Sequence, residues 1–163
     1  MKQYTGIAVF AILAAGLLSC KKRKEEKLNE ALYNETVSSS FTFYRGIDSV
    51  YTAAGGSPHG SFKLKFNSTA AAALTDNGRL PAGQEFPDGS LILKEVNTGS
   101  GATLYVVMKK DKSSKFKSEG DWVWAEYGID GEAVYSAGKK GESCTGCHTS
   151  GTTRDFVRSF DLH

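Results

Sequence analysis

The stretch Leu91-Ile92-Leu93-Lys94-Glu95-Val96, followed by Asn97-Thr98-Gly99-Ser100-Gly101 and then Ala102 to Met108, decides the fold. The first segment is apolar on both faces, as a buried strand is. The second is a hairpin turn and the third a returning strand. Outward from this hairpin the same alternation recurs. Phe62, Leu64 and Phe66 share one strand face, with Lys63 and Lys65 on the other. Trp122-Val123-Trp124-Ala125-Glu126-Tyr127 is an aromatic-rich strand that ends in turn signals at Gly128 and Asp130-Gly131. Phe156 to Phe160 is expected to close the sheet.

Helical signals are fewer. Ala70 to Leu74 is alanine-rich, with Asn67 or Ser68 as N-cap and Gly78 as the stop. Leu28 to Val37 carries a modest amphipathic pattern. The predicted fold class is therefore α+β, mainly an antiparallel sheet with a few flanking helices.

Near the C-terminal end stands Cys144-Thr145-Gly146-Cys147-His148, the C-x-x-C-H pattern that attaches a c-type haem. Two thiols on one short turn add across the two vinyl groups of a single haem. The histidine directly after the second cysteine is held under the ring and ligates the iron. A structural zinc site would need four ligands, and only His59 and His163 remain as loose candidates. A thioredoxin-like pair would need a strand before it and a helix opening at the first cysteine. Here the approach is the polar loop Gly138-Lys139-Lys140-Gly141-Glu142-Ser143, so haem c is the expected cofactor. The cysteine turn is expected to open a further short helix.

Covalent haem implies export from the cytoplasm, and the N-terminus agrees. Lys2 is followed by twelve uncharged, mostly apolar residues from Ile7 to Leu18. That is a signal-peptide core, short for a bilayer span. It ends in Leu17-Leu18-Ser19-Cys20, which resembles a bacterial lipobox, with Cys20 as the lipidated first residue. An ordinary signal peptide with a coincidental cysteine is the competing reading. The chain has three cysteines, one for the lipid and two for the haem, and none is left for a disulfide. The expected organisation is a leader over 1–19, a lipidated cysteine with a charged tether over 20–40, and a haem domain over 41–163. The basic run Lys21 to Lys24 lifts the domain off the membrane or touches anionic headgroups. The expected location is the periplasmic side of a bacterial membrane, with the outer membrane favoured. A net charge of +2 implies no nucleic-acid partner.

A mostly β body before a late C-x-x-C-H motif is not the small all-helical cytochrome c pattern. The chain resembles the cytochrome P-460 family, which includes cytochrome c′-beta. The resemblance rests on Phe86-Pro87-Asp88-Gly89-Ser90 with Leu91 to Val96, Gly120-Asp121-Trp122-Val123-Trp124, Cys144 to His148, and Arg154-Asp155-Phe156-Val157. It runs from about Phe62 to Phe160. It implies a haem c with His148 as proximal iron ligand, an open distal side and a homodimer. It also implies chemistry on hydroxylamine or nitric oxide. In the family's enzyme branch a lysine four residues after the strand's serine is joined to a meso carbon of the haem, and that position is Lys94. The enzymes' distal arginine falls at Lys63 or Lys65, a departure. Glu126 and Glu142 are candidates for a distal carboxylate.

Read from the residues alone, Lys94 shares a strand face with Ile92 and Val96. Its stem is expected to be buried, and burial lowers a lysine's pKa. The competing reading is a lysine snorkelling from an edge strand or pairing with a haem propionate.

Three functions follow. The first is an enzyme oxidising hydroxylamine at an open iron site and passing electrons to a redox partner. The second is a nitric-oxide binder without turnover, with Phe62, Phe66 and Phe86 forming an apolar distal face. The third is an electron carrier, which would need a sixth ligand such as Met108. Met108 reads better as a core gap-filler. Trp122 and Trp124 read first as core and second as pocket lining. His59, in a loop, and His163, at the terminus, are expected to be solvated rather than ligands.

Overall fold

In the computed structural model, residues 5–54, 57–97, 99 and 101–163 are described, with side chains from Lys21 onward. Helix α1 (Thr5–Ser38) leads into a six-stranded antiparallel sheet: β1 (Phe41–Phe43), β2 (Phe62–Asn67), β3 (Leu91–Asn97), β4 (Ala102–Lys110), β5 (Trp122–Gly128) and β6 (Ala133–Tyr135). Each strand pairs with its sequence neighbour, so the sheet is a meander. Thr98 and Ser100 of the β3–β4 turn lie outside the described residues. Helix α2 (Ser68–Ala72) follows β2 directly, and Asn67 caps it by accepting from the Ala70 N–H. The same Asn67 carboxamide oxygen accepts from the Leu91 N–H, which ties the cap to β3. Two short helices, α3 (Thr145–His148) and α4 (Ser159–Leu162), complete the chain.

Side-chain alternation divides the sheet into two buried faces. On one face, Phe62, Leu64, Phe66, Ile92, Met108, Trp122 and Trp124 pack with Tyr44, Phe86, Val157 and Phe160. On the other, Leu91, Leu93, Val107, Val123, Ala125 and Tyr127 pack against Leu32 and Leu28 of α1. Burial on both faces is why β3 reads as a continuous apolar run.

Two expectations change. Phe156 to Phe160 forms no strand. Val157 and Phe160 cover the first face from an irregular turn and α4, whose spacing brings both rings and aliphatics to one side. Residues 21–38 are the last turns of α1: Leu28 to Val37 is helical, as its amphipathic pattern expects, and the stretch from Lys21 read as tether is helix too. There Leu28 and Leu32, one turn apart, meet the second sheet face, and Asn29 bonds both Ser136 Oγ and the Ala137 N–H at 2.9 Å. The Cys20 side chain lies outside the described residues. Among the described residues no helix is long and apolar enough to cross a membrane.

Candidate functional site

A cavity of about 370 Å³ opens on the first sheet face, within the size range of cofactor and ligand pockets. Lys94, Cys144, Cys147 and His148 all line it. Register explains how. Leu64, Lys94, Val106 and Glu126 stand opposite one another across β2, β3, β4 and β5, and form one row across the floor. The adjacent row on the same face is Phe66, Ile92, Met108 and Trp124. The cysteine turn closes over Trp124, at the end of this second row.

That turn is held down locally. Gly141 has φ +70°, and a Cβ there would lie 2.4 Å from the Trp124 ring, so only glycine lets the loop pass so close. Beyond it, Cys144 to His148 wind into α3, with the His148 N–H donating to the Cys144 carbonyl at 3.1 Å. Both cysteines are unpaired. Burial pushes the Cys144 thiol up to about 11. That opposes the thiolate which a metal site or a redox dithiol needs, whereas a thioether carries no charge. Among the described residues no group of three or more histidine, cysteine and carboxylate side chains could hold a metal ion.

His148 is neutral: burial lowers its pKa to about 4. Its Nδ1 lies 2.8 Å from the Phe156 carbonyl oxygen, which fixes that nitrogen as the N–H and leaves Nε2 as the one available to iron. The Trp124 ring meets the imidazole edge-on, 4.7 Å between centroids. Two thiols and a neutral, oriented imidazole on one turn beside an apolar cavity fit a covalently attached haem.

Lys94 Nζ sits 4.3 Å over the Phe62 ring. It faces the cavity rather than bulk water, and burial alone lowers its pKa to about 8. It is therefore a mid-sheet lysine, on β3 between β2 and β4, and does not snorkel from an edge. Glu126 shares its row and is raised by burial. Glu142 is exposed and does not reach the cavity. Lys63 and Lys65 point to the opposite face, paired with Asp48 and Glu95, so neither supplies a distal cation.

Both histidines expected in solvent instead line the cavity. The loop carrying His59 is folded over the sheet by a two-bond bridge between Tyr51 and Phe62. The His59 side chain is 12 % exposed and its Nδ1 lies 3.9 Å from Glu126. Burial, with Lys94 nearby, lowers its pKa to about 4. His163 packs against Tyr51 and Phe62. Of the aromatic candidates, Phe62 lines the cavity while Phe66 and Phe86 stay in the core. Trp124 lines it, and Trp122 is wholly buried. Met108 packs in the core beside Ile92 and Trp124 and contributes to the cavity wall.

Sequence reasoning missed one group. Lys110 is wholly buried and pairs with Asp155, itself 2 % exposed. Strand parity was the available signal, since Lys110 follows Val106 and Met108 on the cavity side of β4.

The family model described as Cytochrome P460 matches residues 43–159, most of the chain. No curated protein matches significantly.

Proposed function

This chain belongs to the cytochrome P460 family, a family of c-type haem proteins, and from that premise we propose that it acts on small nitrogen species at an open haem site, by oxidising hydroxylamine, binding nitric oxide, or both. The observation that carries the reading is the meeting of Cys144, Cys147, His148 and Lys94 in one cavity. When bound, the haem supplies an iron centre for ligand binding and one-electron chemistry. Cys144 and Cys147 would anchor it as thioethers, and His148 Nε2 would ligate its iron.

The remaining residues do the orienting and the proton handling. Lys94 presents an amine of lowered basicity from the sheet floor, which favours the neutral form that a bond to a ring carbon requires. Hydroxylamine loses protons as it loses electrons. Glu126 and His59, which face each other at 3.9 Å, are two groups in the cavity able to take them. The electrons leave to a separate redox partner. Phe62, Leu64 and Ile92 keep bulk water from the cavity floor. Met108 is packed in the core, which favours an open site over the electron-carrier alternative.

The protein is tethered through acylated Cys20 on the periplasmic side of a bacterial membrane, and the domain pairs as a homodimer. Acylation follows from the lipobox, and two or more chains would make the attachment stable. Radiolabelled fatty acid should enter the wild-type protein and not the Cys20→Ala variant, with haem attachment unchanged in both.

The chemistry is tested on purified holoprotein by ferric and ferrous absorption spectra, with hydroxylamine turnover against an artificial electron acceptor. A five-coordinate haem with a displaced main band and turnover supports the enzyme. An ordinary spectrum with nitric oxide binding and no turnover supports the gas binder. A six-coordinate iron inert to both ligands would overturn the proposal.

A further inference from the structure

The segment that follows the cysteine turn is bent in a way its residues do not favour. Asp155 has φ +48° and Phe156 φ +70°. Two successive non-glycine residues thus stand in the left-handed region, where a Cβ crowds the backbone. Such a bend persists only where its surroundings over-determine it.

The surroundings are on one side chain. The Asp155 carboxylate accepts from the Phe86 N–H at 2.7 Å, from Trp122 Nε1 at 3.1 Å, and from Lys110 Nζ at 2.8 and 3.0 Å. Lys110 is wholly buried, with its ammonium 5.1 Å from the Trp122 ring. Its other carboxylate neighbour, Glu85, lies at 3.9 Å and is 69 % exposed. The carboxylate is thereby bolted to β4, to β5 and to the chain before β3. From the next residue, the Phe156 carbonyl points at His148 Nδ1, 2.8 Å away. The Phe156 ring lies so close to Gly120 that a Cβ there would fall 2.4 Å from it. The bend is held at both of its residues, and its product is an acceptor aimed at the imidazole.

We propose that Asp155, locked by Lys110, is a positioning residue that fixes the Phe156 carbonyl against His148 and so sets how strongly His148 donates to the haem iron. The proposal rests on the haem reading given above. The physical link is the hydrogen bond itself. An acceptor held on Nδ1–H makes Nε2 a stronger donor, which favours the ferric state. Release of the bend lets the carbonyl turn away, weakens the iron–histidine bond and raises the reduction potential.

Holoprotein of the wild type, Asp155→Ala, Asp155→Asn and the apolar double variant Lys110→Met/Asp155→Leu separates this from simple fold support. The double variant removes both buried charges together, which leaves neither unpaired. Three readings are taken: covalent haem by staining, the ferrous iron–histidine stretching band by resonance Raman, and the reduction potential. All four proteins should stain for haem. Asp155→Ala and the double variant should show the stretching band at lower frequency. Their ferric-to-ferrous ratio at fixed potential should fall by roughly tenfold, which is about 59 mV upward for one electron. Asp155→Asn, which keeps the acceptor oxygen, should recover part of the wild-type values. A stable, haem-loaded double variant with the wild-type band and potential would overturn this proposal alone. Wild-type protein without covalent haem would overturn the haem reading and this proposal with it.

Discussion

Lys94 offers a stability measurement whose sign depends on where its amine sits. The perturbation is Lys94→Met, which keeps the stem and removes the charge, made on the haem-free Cys144→Ala/Cys147→Ala chain. In the folded state burial lowers the amine from 10.5 to about 8. The unfolded chain holds its proton up to pH 10.5. Between those values the unfolded state carries more protons, so stability rises with pH. Below pH 8 the folded protein bears the full cost of a buried cation, about 3 kcal/mol. Lys94→Met should therefore be more stable than its parent by about 3 kcal/mol at pH 7. The gap should narrow from pH 8 and close near pH 10.5. Urea unfolding followed by far-ultraviolet circular dichroism at pH 7, 9 and 10.5 gives the difference directly, since other titrating groups cancel between the two proteins. Equal stability at pH 7, or a gap indifferent to pH, would refute the burial of a free amine in the sheet floor. In the holoprotein the same comparison reports on the cross-link. An amine bonded to the ring no longer titrates in this range, so the pH-dependent part of the gap should be lost.

Three further outcomes follow from the packing. His59, lowered to about 4 by burial, is neutral at pH 7. The unfolded chain takes its proton first as the pH falls below 6.5, so stability is lost between pH 6.5 and 4; His59→Gln should lessen the fall of the urea midpoint between pH 7 and 5, with the buried His148 keeping the rest, and an unchanged slope would return His59 to solvent. Leu32 is 2 % exposed against the second sheet face, so Leu32→Ala should cost about 2–5 kcal/mol in chemical unfolding, whereas a free-standing tether would lose nothing. Gly120→Ala would drive a Cβ against the Phe156 ring at a φ of +63°; a loss of about 1–3 kcal/mol is expected in thermal melting, and a neutral result would show that the two segments do not meet.

The sheet was legible because its strands carry period-two burial. Phe62, Leu64 and Phe66 alternate with Lys63 and Lys65, and the lysines do face away. The same parity put Lys94 with Ile92 and Val96, and it would have put Lys110 inward had the strand been followed to its end. Phe156 to Phe160 misled because a five-residue aromatic stretch fits a short strand and a covering turn equally well. The docking stripe of α1 is narrow, Leu28 and Leu32 among charges, and a charged surface helix looks like a solvated linker until a sheet face is set against it. His59 and His163 were hidden for a different reason. Nothing local tells which loop folds back over a cavity; the bridge from Tyr51 to Phe62 does that, and it joins residues with no periodic relation. The cysteine turn was legible from spacing alone, but the Phe156 carbonyl opposite His148 Nδ1 depends on a buried Lys110–Asp155 contact between segments distant in sequence.

Peptide mass mapping of the purified, trypsin-digested holoprotein reads covalent haem attachment and the Lys94 bond in one measurement. Complete cleavage would release Gly141–Arg154, with both cysteines and His148, and would cut after Lys94 to separate Leu80–Lys94 from Glu95–Lys109. Gly141–Arg154 should carry one haem. In the enzyme, cleavage after Lys94 should also be blocked and Leu80–Lys109 joined to the same haem. Haem on Gly141–Arg154 with free Leu80–Lys94 would leave the gas binder. A Gly141–Arg154 peptide of unmodified mass would contradict covalent haem attachment, and with it both the enzyme and the gas binder.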